Sequence, residues 1–228
     1  MKLTKLALAI ATTSIAMGGA AFAEDASGPS VAFNVGVASD YVFRGFSQTD
    51  EGVQVFGGAD VTSGMLYAGV WASNVDFLDS TDAEVDLYAG VKPTLGPVSL
   101  DIGGLYYAYP GSPKGSGYDY FEAKVAGSVP VGKGTVGAAV FYSPDFFGAV
   151  DSAVYYEVNA STPIVDKLSI SGALGHQSLE GPGDYTTWNV GLGYALNDHL
   201  GVDVRYFDTD FKSKISNGRA AVSLKATF

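Results

Sequence analysis

Apolar and polar residues alternate along almost the whole chain after residue 30. One row reads Val31, Phe33, Val35, Val37, Ser39, Tyr41, Phe43; the interleaved row reads Ala32, Asn34, Gly36, Ala38, Asp40, Val42, Arg44. A period of two predicts a β-strand with one apolar face and one small or polar face. The pattern returns with Val85, Leu87, Ala89, Val91 against Glu84, Asp86, Tyr88, Gly90, Lys92, and with Leu200, Val202, Val204, Tyr206 against Gly201, Asp203, Arg205. Twelve such runs are predicted, near 31–44, 52–61, 65–76, 83–92, 98–109, 117–128, 135–143, 151–160, 167–177, 185–195, 199–208 and 217–228. Runs of about ten residues suit tilted membrane-spanning strands, whereas strands of globular proteins average about five or six.

The connections differ by side. Even-numbered ones carry tight-turn residues, as at Thr62-Ser63-Gly64, Pro93-Thr94-Leu95-Gly96-Pro97 and Leu196-Asn197-Asp198. Odd-numbered ones, at 45–51, 77–82, 110–116, 144–150, 178–184 and 209–216, are longer and more polar. Short turns on one side and longer loops on the other are expected of an outer-membrane barrel. The connections at 129–134 and 161–166 read as less tight and fit this rule poorly.

Composition narrows the choice. The chain has 228 residues, 47% of them hydrophobic but only 16% charged, which is far from a disordered chain. It has no cysteine, so thiolate metal sites and disulfides are excluded. The net charge of −11 argues against a nucleic-acid partner. Lys2 and Lys5, an apolar stretch at 6–16 and Ala21-Phe22-Ala23 together read as a secretory signal peptide over 1–23, with Glu24 opening the mature chain. No later stretch is long and apolar enough for a membrane helix. The expected fold is therefore all-β: a transmembrane antiparallel up-and-down β-barrel of about twelve strands over 24–228, in the outer membrane of a Gram-negative bacterium. A soluble periplasmic β-domain is the alternative, since alternation by itself also fits a sandwich.

Aromatics at Tyr41, Phe43, Tyr106, Tyr142, Trp188, Tyr194, Tyr206 and Phe228 fall near run ends, where interfacial girdles sit. The last run alternates Ala220, Val222, Leu224, Ala226, Phe228 with Arg219, Ala221, Ser223, Lys225, Thr227. A terminal strand closing on Phe228 resembles the signal read by the outer-membrane assembly machinery. That machinery and membrane lipid are the expected macroscopic partners.

The segment Ala38-Ser39-Asp40-Tyr41-Val42-Phe43-Arg44-Gly45-Phe46-Ser47-Gln48-Thr49 resembles the opening motif of the TorF-type porin family, also known by its Gcw_chp domain. Gly69-Val70-Trp71-Ala72-Ser73-Asn74-Val75-Asp76-Phe77 and Glu84-Val85-Asp86-Leu87-Tyr88-Ala89-Gly90 are similar to its second and third motifs. The resemblance implies an outer-membrane barrel with a pore role, and it brings neither a substrate nor catalytic residues.

Inward charges are then the functional inventory. Alternation places Asp40, Arg44, Asp60, Glu84, Asp86, Lys92, Asp101, Glu122, Lys124, Glu157, Asp203, Arg205, Arg219 and Lys225 on the lumen side, eight acids and six bases. As pore-lining residues they predict passive diffusion of small polar solutes or ions with a weak cation preference. As paired residues they predict a closed structural or partner-binding barrel instead. Phe56, Tyr88, Tyr107, Tyr120 and Tyr155 are expected to narrow the lumen. Asp40 and Arg44, about 13 Å apart along one strand, should seek partners elsewhere, and Glu84 and Asp86 lie about 7 Å apart on one face.

Catalysis has little support. His176, with Ser178 nearby, and His199 are the two histidines, and no nucleophile-elbow pattern occurs. The acidic stretches at 79–82 and 208–210 read as solvated loops rather than calcium sites. No enzyme activity, cofactor or metal site is expected.

Overall fold

The computed structural model describes residues 28–148 and 150–228. Residues 1–23, read from the sequence as a signal peptide, lie outside the described residues. Twelve long strands form one antiparallel barrel: β1 (Ser30–Ala38), β2 (Gln54–Ser63), β3 (Leu66–Asn74), β4 (Ala83–Val91), β5 (Val98–Ala108), β6 (Tyr120–Val131), β7 (Gly134–Ser143), β8 (Ala153–Val165), β9 (Leu168–Leu179), β10 (Tyr185–Ala195), β11 (Leu200–Thr209) and β12 (Arg219–Thr227). Each pairs with its sequence neighbours, and β1 closes the sheet against β12, with Val37 opposite Leu224. Closure leaves no unpaired edge, which a strand crossing lipid requires.

Period two sets the two faces. Val31, Phe33, Val35 and Val37 point outward and are exposed, while Gly36 and Ala38 are buried inside. The same holds around the barrel, with Leu87, Val125, Val140, Val158, Leu174, Val190, Val204 and Val222 among the exposed apolar side chains. In the outward rows of the strands only Asp208, at the loop end of β11, is charged. Tyr106, Tyr142, Trp188, Tyr194, Tyr206 and Phe228 are exposed outward, as the girdle reading expects.

Five connections on one side are tight turns and six on the other are loops, here loop 1 to loop 6 in chain order. The two connections that read as loose are in fact tight. β6 runs on to Val131 and β8 to Val165, leaving two-residue turns at 132–133 and 166–167. Pro130 and Pro163, which weaken the strand signal, sit inside the paired register.

One prediction fails in a way that matters. The first run does not continue to residue 44: β1 ends at Ala38. The chain then folds back into the barrel as loop 1, residues 39–53. Tyr41 and Phe43 therefore belong not to an outer girdle but to the interior, where Tyr41 is buried and Phe43 packs on Tyr107.

Candidate functional site

Loop 1 carries a small hairpin in which Val42–Phe43 pairs with Phe46–Ser47. Its two turn residues, Arg44 and Gly45, both have positive φ, at 45° and 90°. A two-residue turn with both φ positive matches the twist of a hairpin, and glycine or asparagine normally fills it. Gly45 is required twice over, because a Cβ there would also lie 2.7 Å from the Thr187 hydroxyl. Arg44 is a long side chain held in a conformation that L-residues seldom adopt. The tip thus projects a guanidinium across the lumen.

Arg44 is 2% exposed. Its Nη1 and Nη2 donate to the two carboxylate oxygens of Glu122 at 2.8 Å each, and Nη1 also donates to Gln177 Oε1 at 3.0 Å. The guanidinium carbon lies 4.2 Å from the Tyr155 ring centroid and 5.0 Å from that of Phe141. Tyr107 donates its hydroxyl to Glu122 at 3.0 Å. A forked, charge-assisted pair between aromatic faces is the strongest polar arrangement an arginine makes. Both partners are desolvated, so loss of either would strand a buried charge.

The rest of loop 1 is fastened as firmly. Asp40 accepts from Ser47 at 2.6 Å, from Thr49 at 3.0 Å and from Arg219 on β12 at 3.0 Å. Tyr41 donates to Glu84 at 2.7 Å and packs edge-on against Trp71. Phe46 packs on Tyr185 and Phe211. At the mouth, Lys214 of loop 6 bridges to Asp50 at 2.6 Å. That bond holds the Lys214 ammonium above its usual pKa.

The consequence is a filled layer. Each of the twelve strands contributes a buried inward residue at the loop-side end, from Ala38 on β1 through Glu84 on β4, Gln177 on β9 and Thr209 on β11 to Ala221 on β12. A tyrosine-rich cluster of Tyr41, Tyr88, Leu105, Tyr107, Tyr109 and Tyr120 packs one side of it. Below, toward the turns, many inward side chains, Asp60, Asp101 and Lys225 among them, are only partly covered, while Lys124, Glu157 and Arg205 are buried. Asp60 accepts from Tyr88, Asp101 from Tyr67 and Lys124, and Arg205 joins Asp203, Asn189 and Ser171.

All fourteen predicted residues lie inside the barrel, but in two sets. Asp40, Glu84, Asp86 and Glu122 share the filled layer with Arg44 and Arg219. Asp60, Asp101, Glu157 and Asp203 lie deeper with Lys92, Lys124, Arg205 and Lys225. The whole acidic excess of the inventory therefore falls in the filled layer. Asp86 is its extreme member, 0% exposed with neither carboxylate oxygen hydrogen-bonded.

Alternation correctly placed Phe56, Tyr88, Tyr107, Tyr120 and Tyr155 inward, and missed Tyr41, Phe43 and the partners Gln177 and Phe141. Gln177 and Phe141 carry no charge to attract notice, although both occupy inward positions of predicted runs. The Asp40–Arg44 strand geometry is replaced by the hairpin. Each residue does find its partner elsewhere, Asp40 on a neighbouring strand and Arg44 across the lumen.

The histidines do other work. His176 bonds Thr186 at 3.0 Å and packs at a tilt against Tyr156 on the outer face, and His199 bonds the Thr227 carbonyl and stacks on Phe228. Among the described residues no group of three or more acids or histidines is arranged to hold a metal. In loop 2, Asp79 accepts from the Thr81 backbone N–H at 2.7 Å and from Tyr118 of loop 3 at 3.0 Å. Hydrogen bonds from Thr81, then from Tyr118, hold the Asp79 carboxyl below its usual 3.8.

The Gcw_chp family model, described as a bacterial protein of unknown function, matches residues 22–228. The chain belongs to this family. No curated protein matches its sequence. Solved structures resemble the Gcw_chp barrel in fold. The KdgM porin aligns with TM-score 0.61 at 9% identity, over 86% of this chain and 98% of that one. The NanC porin aligns with TM-score 0.58 at 11% identity, over 87% and 99%. An outer-membrane channel from Pseudomonas putida F1 aligns with TM-score 0.51 at 10% identity, over 87% and 93%. At these identities the likeness shows the fold, a porin-type closed barrel, and the Gcw_chp chain spans nearly the full length of each.

Proposed function

We propose that this barrel is an outer-membrane channel for small polar solutes and ions, and that loop 1 is its removable closure. The observation that carries the reading is what fills the lumen. Eight strands enclose only enough room for their own side chains, while twelve enclose more. Here the surplus is occupied by a loop, held by polar and aromatic contacts rather than by strand pairing with the wall, above a charged interior. The apolar outward rows suit lipid and would be a liability on a soluble domain. β12, with Phe228 just beyond it, is the segment offered to the assembly machinery. The inward acidic excess favours cations over anions.

A second reading has a specific observation behind it, the burial around the full circumference of the filled layer. On that reading the barrel stays closed and its loops bind a partner. Single-channel recording in planar bilayers separates the two. The refolded protein is compared with a variant in which residues 42–47 are replaced by a Gly-Ser linker. Rare, small openings in the first and steady, larger steps in the second support the channel, with a salt gradient giving the ion preference. A folded, inserted linker variant that stays silent overturns it.

A further inference from the structure

We propose that the pocket around Arg44 is a recognition site for guanidinium-bearing solutes, which Arg44 occupies as a built-in stand-in. The inference rests on the channel reading for the route by which a solute reaches the site. A simple fastener needs only opposite charge. This pocket matches a planar, donor-rich cation in shape as well: a carboxylate fork from Glu122, the Gln177 carbonyl oxygen, and the faces of Phe141 and Tyr155 on the guanidinium. Such a fork fits guanidinium and fits ammonium poorly.

Two further observations point the same way. All these groups stand on strands β6 to β9, and Tyr107 of β5 orients Glu122. When the hairpin leaves, the pocket keeps its shape, because sites built on strands are held more precisely than sites on loops. Finally, Arg44 sits at a positive φ where glycine would relax the backbone. An unfavourable backbone held at a binding position is expected where the side chain is what matters.

The test empties the pocket without straining the turn. Arg44→Gly suits the turn geometry and leaves Glu122, Gln177, Phe141 and Tyr155 in place. Current through the refolded variant is recorded in potassium chloride with millimolar guanidinium chloride, with equimolar sodium chloride and urea as charged and uncharged controls. Guanidinium should block this variant and leave the wild type, whose pocket is occupied, at least about tenfold less sensitive. Adding Glu122→Gln should weaken the block by about tenfold or more. A conducting Arg44→Gly variant that guanidinium affects no more than sodium does overturns the site and leaves the channel reading standing. If the folded variant carries no current, loop 1 still closes the lumen, the linker variant decides the channel reading, and thermal unfolding in detergent decides the site. A guanidinium-dependent rise in unfolding temperature, absent with urea and lost with Glu122→Gln, supports it, and no rise overturns it.

Discussion

The two halves of the lumen are built from the same strands and the same alternation, yet they differ in kind. At the loop-side end, carboxylates outnumber bases, side chains are dry, and the charges are locked to a loop that crosses from another part of the chain. At the turn-side end acids and bases balance, and their ion pairs are local: Asp101 with Lys124 on the adjacent strand, Asp203 with Arg205 two residues away. The difference teaches that lumen position by itself does not give a charge its role. A half-exposed charge, such as that of Asp101 or Lys225, is screened and replaceable. The same charge under a plug is dry, so its partner decides whether it stabilises or strains the structure.

The comparison can be broken most decisively at Glu122. Glu122→Gln leaves Arg44 buried without its counter-ion, and chemical unfolding of the reconstituted barrel should show a loss of about 3–5 kcal/mol. An equivalent loss at the turn side, from Lys225→Gln, would erase the distinction; the expected change there is under about 0.5 kcal/mol. Gly45→Ala should cost about 1–2 kcal/mol in the same assay, since the turn needs a positive φ and the new methyl meets Thr187. Asp86→Asn sharpens the contrast by its sign. This carboxyl has no hydrogen-bond partner to lose, so replacing it with the isosteric amide should leave stability unchanged or raise it by about 1 kcal/mol.

The smallest effect lies outside the membrane. The Asp79 carboxyl is held below 3.8 by bonds from Thr81 and Tyr118, so its stabilising contribution is present above that value and lost as pH falls through the lowered one. Limited proteolysis of loops 2 and 3 should therefore be the same at pH 7 and pH 5, and quicken only below about pH 3.8, with Asp79→Asn sensitive throughout.

Much of this architecture is legible in the sequence for one physical reason. Lipid outside and polar groups inside force every strand to alternate, so the strand number, the two faces, the girdle at Tyr106, Tyr142, Trp188, Tyr194 and Tyr206, and the inward charges follow from a period of two. That same period misleads at residues 39–44, where alternation continues past the end of β1 and a loop turned inward reads as more strand. The one local sign is Gly45, since a glycine at the close of a run marks a turn or a break. It does not say which way the turn goes. Only the tertiary structure decided that Arg44 crosses the lumen to Glu122, 78 positions later in the chain. Their meeting depends on barrel closure and on the depth of loop 1, and neither leaves a local periodic trace.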